Sequence, residues 1–516
     1  MSAPLFSLST SKSRLLGVVM FVVMILLYMV WLAFPITIIT ADIGRHLMDG
    51  KILFNNPGEW WSLVTTNYYS YTHTDFAIVN HHWLSGAVYY IVHSIVGWKG
   101  LHLFFIALNI ASLLFFVNTA RRRSSFWTAL LITILILPLI AQRKEVRPEV
   151  FGYLISGFLV WLLSRIRYEG LSIKWLWVSP ILLALWVNLH ASFPVGLLIM
   201  GVFFVDAFLN KANCRKQILF IFVISLLATA LNPSGISGAL YPYTIFRDSG
   251  YAVFENQTLF FLIKWGMSSA NFVYLEVVSA LLVIGVLISI FKKNLRNGFP
   301  ILAIATIVTL MAWLSLRHFT LCGMILIPAF AILLKEHSGI FRKIGAKSLR
   351  GIIIAAVLLS VVWQGYSLKN RWIVIGLEPN ANKAAHFIKG LGLDGPVFSN
   401  FDIGGYLIYH LYPEEKLFVY NRPESFPPEF FREIYVPMQQ DEKVWHEQLS
   451  TNNFNMIALY HGDRTAWAQQ FIKSRLLDIA WTPIYVDSAV LIFLRNNEKN
   501  TPFIEEFGIP REQLLK

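Results

Sequence analysis

Asp42, His46 and Asp49 stand at i, i+4 and i+7 in the stretch TADIGRHLMDGKIL, so a helix there carries all three on one face. Two carboxylates and an imidazole sharing a face are a candidate catalytic set. Asp42 follows directly on a long apolar run, which puts its carboxylate at the depth of a membrane surface. Partial desolvation there raises a carboxylate pKa and makes it a better base. The same position suits a helix N-cap, a role Asp fills well, and spacing alone does not separate the two. Gly50 reads as the helix stop.

The loop continues NYYSYTHTDFAIVNHHWLSG, with His81 and His82 adjacent and His73 upstream. Neighbouring side chains project in different directions, and no Cys or HExxH spacing accompanies them. Binding through hydrogen bonds is therefore the reading for His81 and His82. No cofactor is expected, with a divalent metal the less favoured alternative. Further on, AQRKEVRPEV carries Arg143, Lys144 and Arg147. Cations beside a bilayer pair well with phosphate, arginine in a bidentate way. The alternative is a local salt network with Glu145 and Glu149. Asn188 and His190 in WVNLHASFP, and Arg317 and His318 in LSLRHFTL, fall at turns between apolar runs. One such residue is often helix glue. Several at one membrane face suggest a polar cavity that binds substrate.

Those residues need long apolar elements to position them. Eleven runs have spanning character, near 15–39, 101–118, 125–141, 150–165, 175–190, 193–209, 217–232, 273–291, 298–315, 319–335 and 350–367. Basic residues cluster on alternate connections, at Arg121–Arg123, Arg165/Arg167/Lys174, Lys211/Arg215/Lys216, Lys292/Lys293/Arg296 and Lys335/Arg342/Lys343/Lys347/Arg350. By the positive-inside rule these face the cytoplasm, as does the N-terminus. An odd span count then puts the C-terminus outside. Trp83–Val96 is apolar but short, which reads as interfacial or re-entrant. Leu259–Met267 reads as a short surface helix. The outer loops Thr40–His82 and Asn232–Phe272 are long enough to carry function. Residues 1–377 thus form a polytopic α-helical membrane domain with a structured outer loop over 40–100. Residues 378–516 form a small extracytoplasmic α/β domain. It has strands near Val397–Ser399, Leu417–Tyr420 and Met456–Leu459, and a hairpin near Ile484–Arg495.

Composition agrees. Of 516 residues 56% are hydrophobic and 14% charged, with mean hydropathy +0.56. Soluble domains carry about 25% charged residues, so lipid is the solvent for most of this chain. A net charge of +13 invites a nucleic-acid reading. The cations punctuate apolar runs instead of forming a basic face, and that reading is set aside.

Taken in order, these motifs resemble the GT-C superfamily of membrane glycosyltransferases, which includes protein mannosyltransferases, oligosaccharyltransferases and aminoarabinose transferases. A bacterial branch of it is more similar still. The matching positions are Asp42/His46/Gly50, Tyr69-Ser70-Tyr71-Thr72, Asn80-His81-Trp83-Leu84, Arg147-Pro148-Glu149, Asn188-Leu189-His190, Asn232-Pro233, Arg317-His318 and Gly404-Gly405-Tyr406. The resemblance implies transfer of a sugar from a polyprenyl-phosphate or polyprenyl-diphosphate donor at the outer face of a bacterial plasma membrane. It implies Asp42 as the base on an unknown acceptor, with inversion at the anomeric carbon. Arg143, Lys144, Arg147 or Arg317 would meet the donor phosphate.

Four positions depart from the branch pattern. Asn67 replaces an Asp, His82 a Glu, Asn421 the Asp of an Asp-Gly-Arg run, and Arg45 a Trp. Three lost carboxylates favour, as an alternative, a non-catalytic relative that binds lipid or protein. A transporter of lipid-linked intermediates is the third reading. It predicts repeated broken helices and mid-span charges, and the sequence has neither.

Overall fold

The computed structural model describes residues 11–244, 250–336, 346–369 and 373–514. Two compact units divide the chain. One comprises Met1–Pro35, His102–Asn232 and Ala252–Ile375; the other comprises Ile36–Leu101, Pro233–Tyr251 and Gly376–Lys516.

The first unit is helical. Its helices are Ser11–Leu32, the C-terminal part of Trp83–Arg123, Phe126–Ile140, Glu149–Glu169, Ser179–Leu189, Pro194–Leu209, Arg215–Ala228, the short Leu259–Lys264, Ala270–Phe291, Leu295–Leu314, Phe319–Glu336 and Ala346–Leu368. Every expected span has a helix in its place. Six segments among the described residues are long and apolar enough to cross a membrane, and shorter apolar helices accompany them. Met24, Trp127, Leu130, Ile134, Ile353 and Val357 form one of its buried clusters. The first helix ends at Leu32, short of the expected 39. Pro35 forces extended backbone on the residue before it, and Ile36 instead forms a bridge with Leu377. Between helices the basic connections are partly neutralised, as where Arg167 meets buried Asp206 at 2.5 Å.

The second unit combines short helices with a four-stranded sheet. The strands β1 (Val397–Ser399), β2 (Met456–Tyr460), β3 (Trp481–Val486) and β4 (Val490–Arg495) lie in the order β1-β2-β4-β3. β1 runs parallel to β2, with Val397 opposite Met456, and the other pairs are antiparallel. Phe398, Trp445, Phe454 and Phe471 pack ring to ring beneath it. The strand expected at Leu417–Tyr420 is absent: Leu417 makes only isolated bridges, to Ser70 and to Val397. Helix Ile43–Asn55 runs straight through Gly50, the expected stop. A Cβ at Gly50 would lie 2.4 Å from the carbonyl oxygen of Gly86, so the glycine serves a close helix crossing. Trp83–Val96 is a helix of its own, as expected: non-helical backbone at Gly97 (φ 65°) separates it from the helix that runs on to Arg123.

Candidate functional site

In the second unit, helix Ile43–Asn55 presents a charged core. Asp42 is its N-cap residue, but the side chain makes no capping hydrogen bond. Its carboxylate is 27% exposed and lies 4.0 Å from Arg45 Nη2. Asp49 is buried. It accepts from the Tyr69 hydroxyl at 2.6 Å and from Asn80 Nδ2 at 3.3 Å, and Arg45 Nη1 stands 3.7 Å away. Burial raises the Asp49 pKa, against the pull of Arg45, the Tyr69 hydrogen bond and Arg422. Of the three residues on this face, Asp42 alone has a carboxylate that meets solvent. His46 is buried with its ring 5.2 Å from that of His82. The His82 ring in turn lies 3.8 Å from that of His81, tilted 55° to it, and His81 lies 4.8 Å from Tyr241.

Arg422 closes this core. It donates to the Val79 carbonyl at 2.6 Å and to Glu424 at 3.1 Å. Burial disfavours its charge, but Glu424, Tyr241, Tyr420 and Asp49 together outweigh that and hold its pKa above the usual value. Asn67, fully buried, accepts from the Tyr420 hydroxyl at 2.7 Å. Burial pushes that phenol up to about 12. The amide at Asn67 therefore fills a structural hydrogen bond in this chain. Arg45 was singled out in the sequence only as a departure, yet it is the guanidinium between both aspartates. Its Nε and Nη1 are buried without hydrogen bonds.

The first unit holds the second constellation. Arg143 Nη2 donates to Glu149 at 2.9 Å and to Glu255 at 2.8 Å. Arg147 reaches Glu145 at 2.8 Å through Nε and Glu255 at 3.0 Å through Nη2. Arg317 Nε stands 3.4 Å from Glu255. Burial alone would raise the Glu255 pKa; Arg143, Arg147 and Arg317 outweigh it and hold the carboxyl well below the usual range. His190 accepts from the Ser192 backbone amide at 3.1 Å and pairs with the Ser192 hydroxyl at 2.7 Å. Burial lowers its pKa to about 4, despite the nearby Glu149. His318 is within electrostatic reach of Arg317, His190 and Glu149. Arg143, Arg147, His190, Arg317 and His318 are thus brought together. Lys144 turns aside, its Nζ 4.0 Å over the Phe34 ring. Asn188 gives its amide to the carbonyls of Ala184 and Leu231, which ties its helix to the loop after helix Arg215–Ala228.

Glu255 is the residue that sequence reasoning missed. It sits on a single turn, Phe254–Asn256, in a loop without periodicity, so no pattern linked it to arginines over a hundred positions away. Among the described residues no group of three or more His, Cys, Asp or Glu is arranged to hold a metal.

No family profile and no curated protein matches the sequence. Solved structures do match. The archaeal oligosaccharyltransferase AglB from Archaeoglobus fulgidus, in complex with an inhibitory peptide and a dolichol-phosphate, aligns with TM-score 0.55 at 11% identity. That alignment covers 93% of this chain and 74% of the other. ArnT from Cupriavidus metallidurans bound to undecaprenyl phosphate aligns with TM-score 0.52 at 11% identity, over 94% of this chain and 98% of the other. Its apo form gives TM-score 0.55. At such identities the likeness is one of fold.

Proposed function

Taking a polytopic membrane chain with the GT-C fold as premise, we propose that this protein transfers a sugar from a polyprenyl-phosphate-linked donor to an acceptor at the outer membrane face. The observation that carries the reading is the convergence of Arg143, Arg147 and Arg317 in a fold whose solved examples include lipid-phosphate complexes. Guanidinium groups are the side chains best matched to phosphate oxygens. Asp42 is assigned the proton. The acceptor hydroxyl gives its hydrogen to the Asp42 carboxylate, and its oxygen bonds to the anomeric carbon. The bond from that carbon to the phosphate oxygen breaks, and polyprenyl phosphate leaves with the electron pair. A single displacement inverts the anomeric centre.

Asp42→Asn tests the assignment. Turnover of a lipid-linked sugar should fall by about 10²–10⁴-fold, the usual contribution of a positioned base, while lipid phosphate still binds. Unchanged turnover removes Asp42 from the reaction. A second reading, a non-catalytic binding protein, draws on Asn67, whose amide is committed to Tyr420 at the position where the resembled motif has an Asp. Under it no glycosyl bond forms with any donor, although lipid phosphate binds.

A further inference from the structure

The guanidinium cluster carries its own counter-charges, and their number bears on which lipid anion it takes. Arg143 is shared between Glu149 and Glu255 at 2.9 and 2.8 Å. Arg147 is shared between Glu145 and Glu255 at 2.8 and 3.0 Å. Both are closely paired. Arg317 is the least committed of the three: its one ion pair among the described residues is long, 3.4 Å to Glu255, and the Nε that makes it carries no hydrogen bond there. Its side chain is 31% exposed, whereas those of Arg143 and Arg147 are 11% and 14% exposed. Glu145 faces water at 37% exposure, so its charge is screened. Three guanidinium groups against the enclosed Glu149 and Glu255 leave one positive charge.

We propose that Glu255 sets the charge selectivity of this anion site, so that it accepts a singly charged lipid phosphodiester in preference to a lipid diphosphate. The inference rests on the donor reading above and narrows it to monophosphate-linked sugars. The physical reason is a difference in scaling. Stripping water from an anion costs in proportion to the square of its charge, whereas attraction to a fixed cation grows only linearly. A diphosphate also meets twofold or greater repulsion from Glu255 and Glu149. Only about one guanidinium of unspent charge is there to offset it. His190, held neutral near pH 7 by burial, adds no second cation. Glu255 is therefore a specificity-determining residue, and Arg317 the one that meets the phosphate.

The test uses the purified full chain in detergent micelles at fixed ionic strength without divalent cations. Methyl farnesyl phosphate, farnesyl phosphate and farnesyl diphosphate are the probes, and Kd is read from tryptophan fluorescence. The singly charged diester should bind at least 5-fold more tightly than the diphosphate. Glu255→Gln, which frees one more positive charge, should shift that ratio at least 10-fold toward the diphosphate. Arg317→Gln should weaken diester binding by at least 10-fold with the thermal midpoint nearly unchanged, and it tests the site even if the Glu255 variant does not fold. Equal or tighter binding of the diphosphate to the unaltered protein overturns the inference alone. If no probe binds, or Arg317→Gln has no effect on any of them, the donor assignment falls with it.

Discussion

Two groups of the guanidinium cluster are tuned in the same direction by opposite means. The Glu255 carboxyl is held well below its usual pKa by surrounding arginines, and the His190 imidazole is lowered to about 4 by burial. In each case the folded state binds a proton less readily than the unfolded chain, so each contributes stability at neutral pH that acid removes. For His190 the contribution is complete above the ordinary value of 6.5 and fades as pH falls toward about 4. For Glu255 the loss begins only near 4.5 and continues below it. The windows barely overlap, which makes them separable. His190→Gln should remove the part of the pH dependence lying between 6.5 and 4, on the order of 2–3 kcal/mol from a displacement of that size. Thermal unfolding in detergent, followed across pH for both proteins, is the measurement. Identical slopes in that window would mean the imidazole is hydrated and titrates normally. Asp49 carries the opposite sign. Burial raises its pKa, so any stability it contributes is greatest below 3.8 and is lost as pH rises. A buried carboxylate kept at neutral pH beside Arg45 is more consistent with holding that guanidinium in place than with stability.

At the scale of elements, helix Ile43–Asn55 depends on two glycines that periodicity does not explain. A Cβ at Gly44 would lie 2.4 Å from the carbonyl oxygen of Gly405, and one at Gly50 would meet Gly86 and Tyr90 at 2.4 Å. Backbones that approach this closely tolerate no side chain. Gly50→Ala should lower stability by about 1–3 kcal/mol, the usual cost of overpacking. Gly58→Ala, where nothing lies within 4 Å, is the matched control in a thermal melt; equal midpoints would show that the two helices shift apart freely. This element also marks what was legible beforehand. The apolar runs announced the membrane helices because lipid leaves helices as nearly the sole spanning structure. The grouping of Asp42, His46 and Asp49 followed from helical spacing. The helix end did not, because Gly50 carries the composition of a stop while its reason is a neighbour far along the chain. Leu417–Tyr420 has strand composition, but a strand requires a paired partner, and Leu417 finds only single bridges. Glu255 was illegible for the same reason: what makes it matter is three arginines brought together by folding.

Over the whole molecule, charge supplies an orientation that the fold by itself does not. The clusters at Arg121–Arg123, Arg165/Arg167/Lys174, Lys211/Arg215/Lys216 and Lys292/Lys293/Arg296 recur between apolar helices on alternate connections. Cations resist translocation, so these connections are expected in the cytoplasm and the sheet-bearing C-terminal segment outside. The guanidinium groups of Arg143, Arg147 and Arg317 lie on the other set of connections, where the same rule disfavours them. The enclosed Glu149 and Glu255 offset most of that charge, which lessens the conflict and leaves about one positive charge for an anion. Cysteine labelling decides the matter. Cys214 is only partly buried and would be replaced by serine, while Cys322 is buried and can stay. With Glu505→Cys in that background, a membrane-impermeant maleimide added to right-side-out vesicles should label the protein before any permeabilisation. With Arg121→Cys it should label only afterwards. The reverse pattern would place the C-terminal segment in the cytoplasm and exclude an outer-face reaction, while the helices and their packing would stand unchanged.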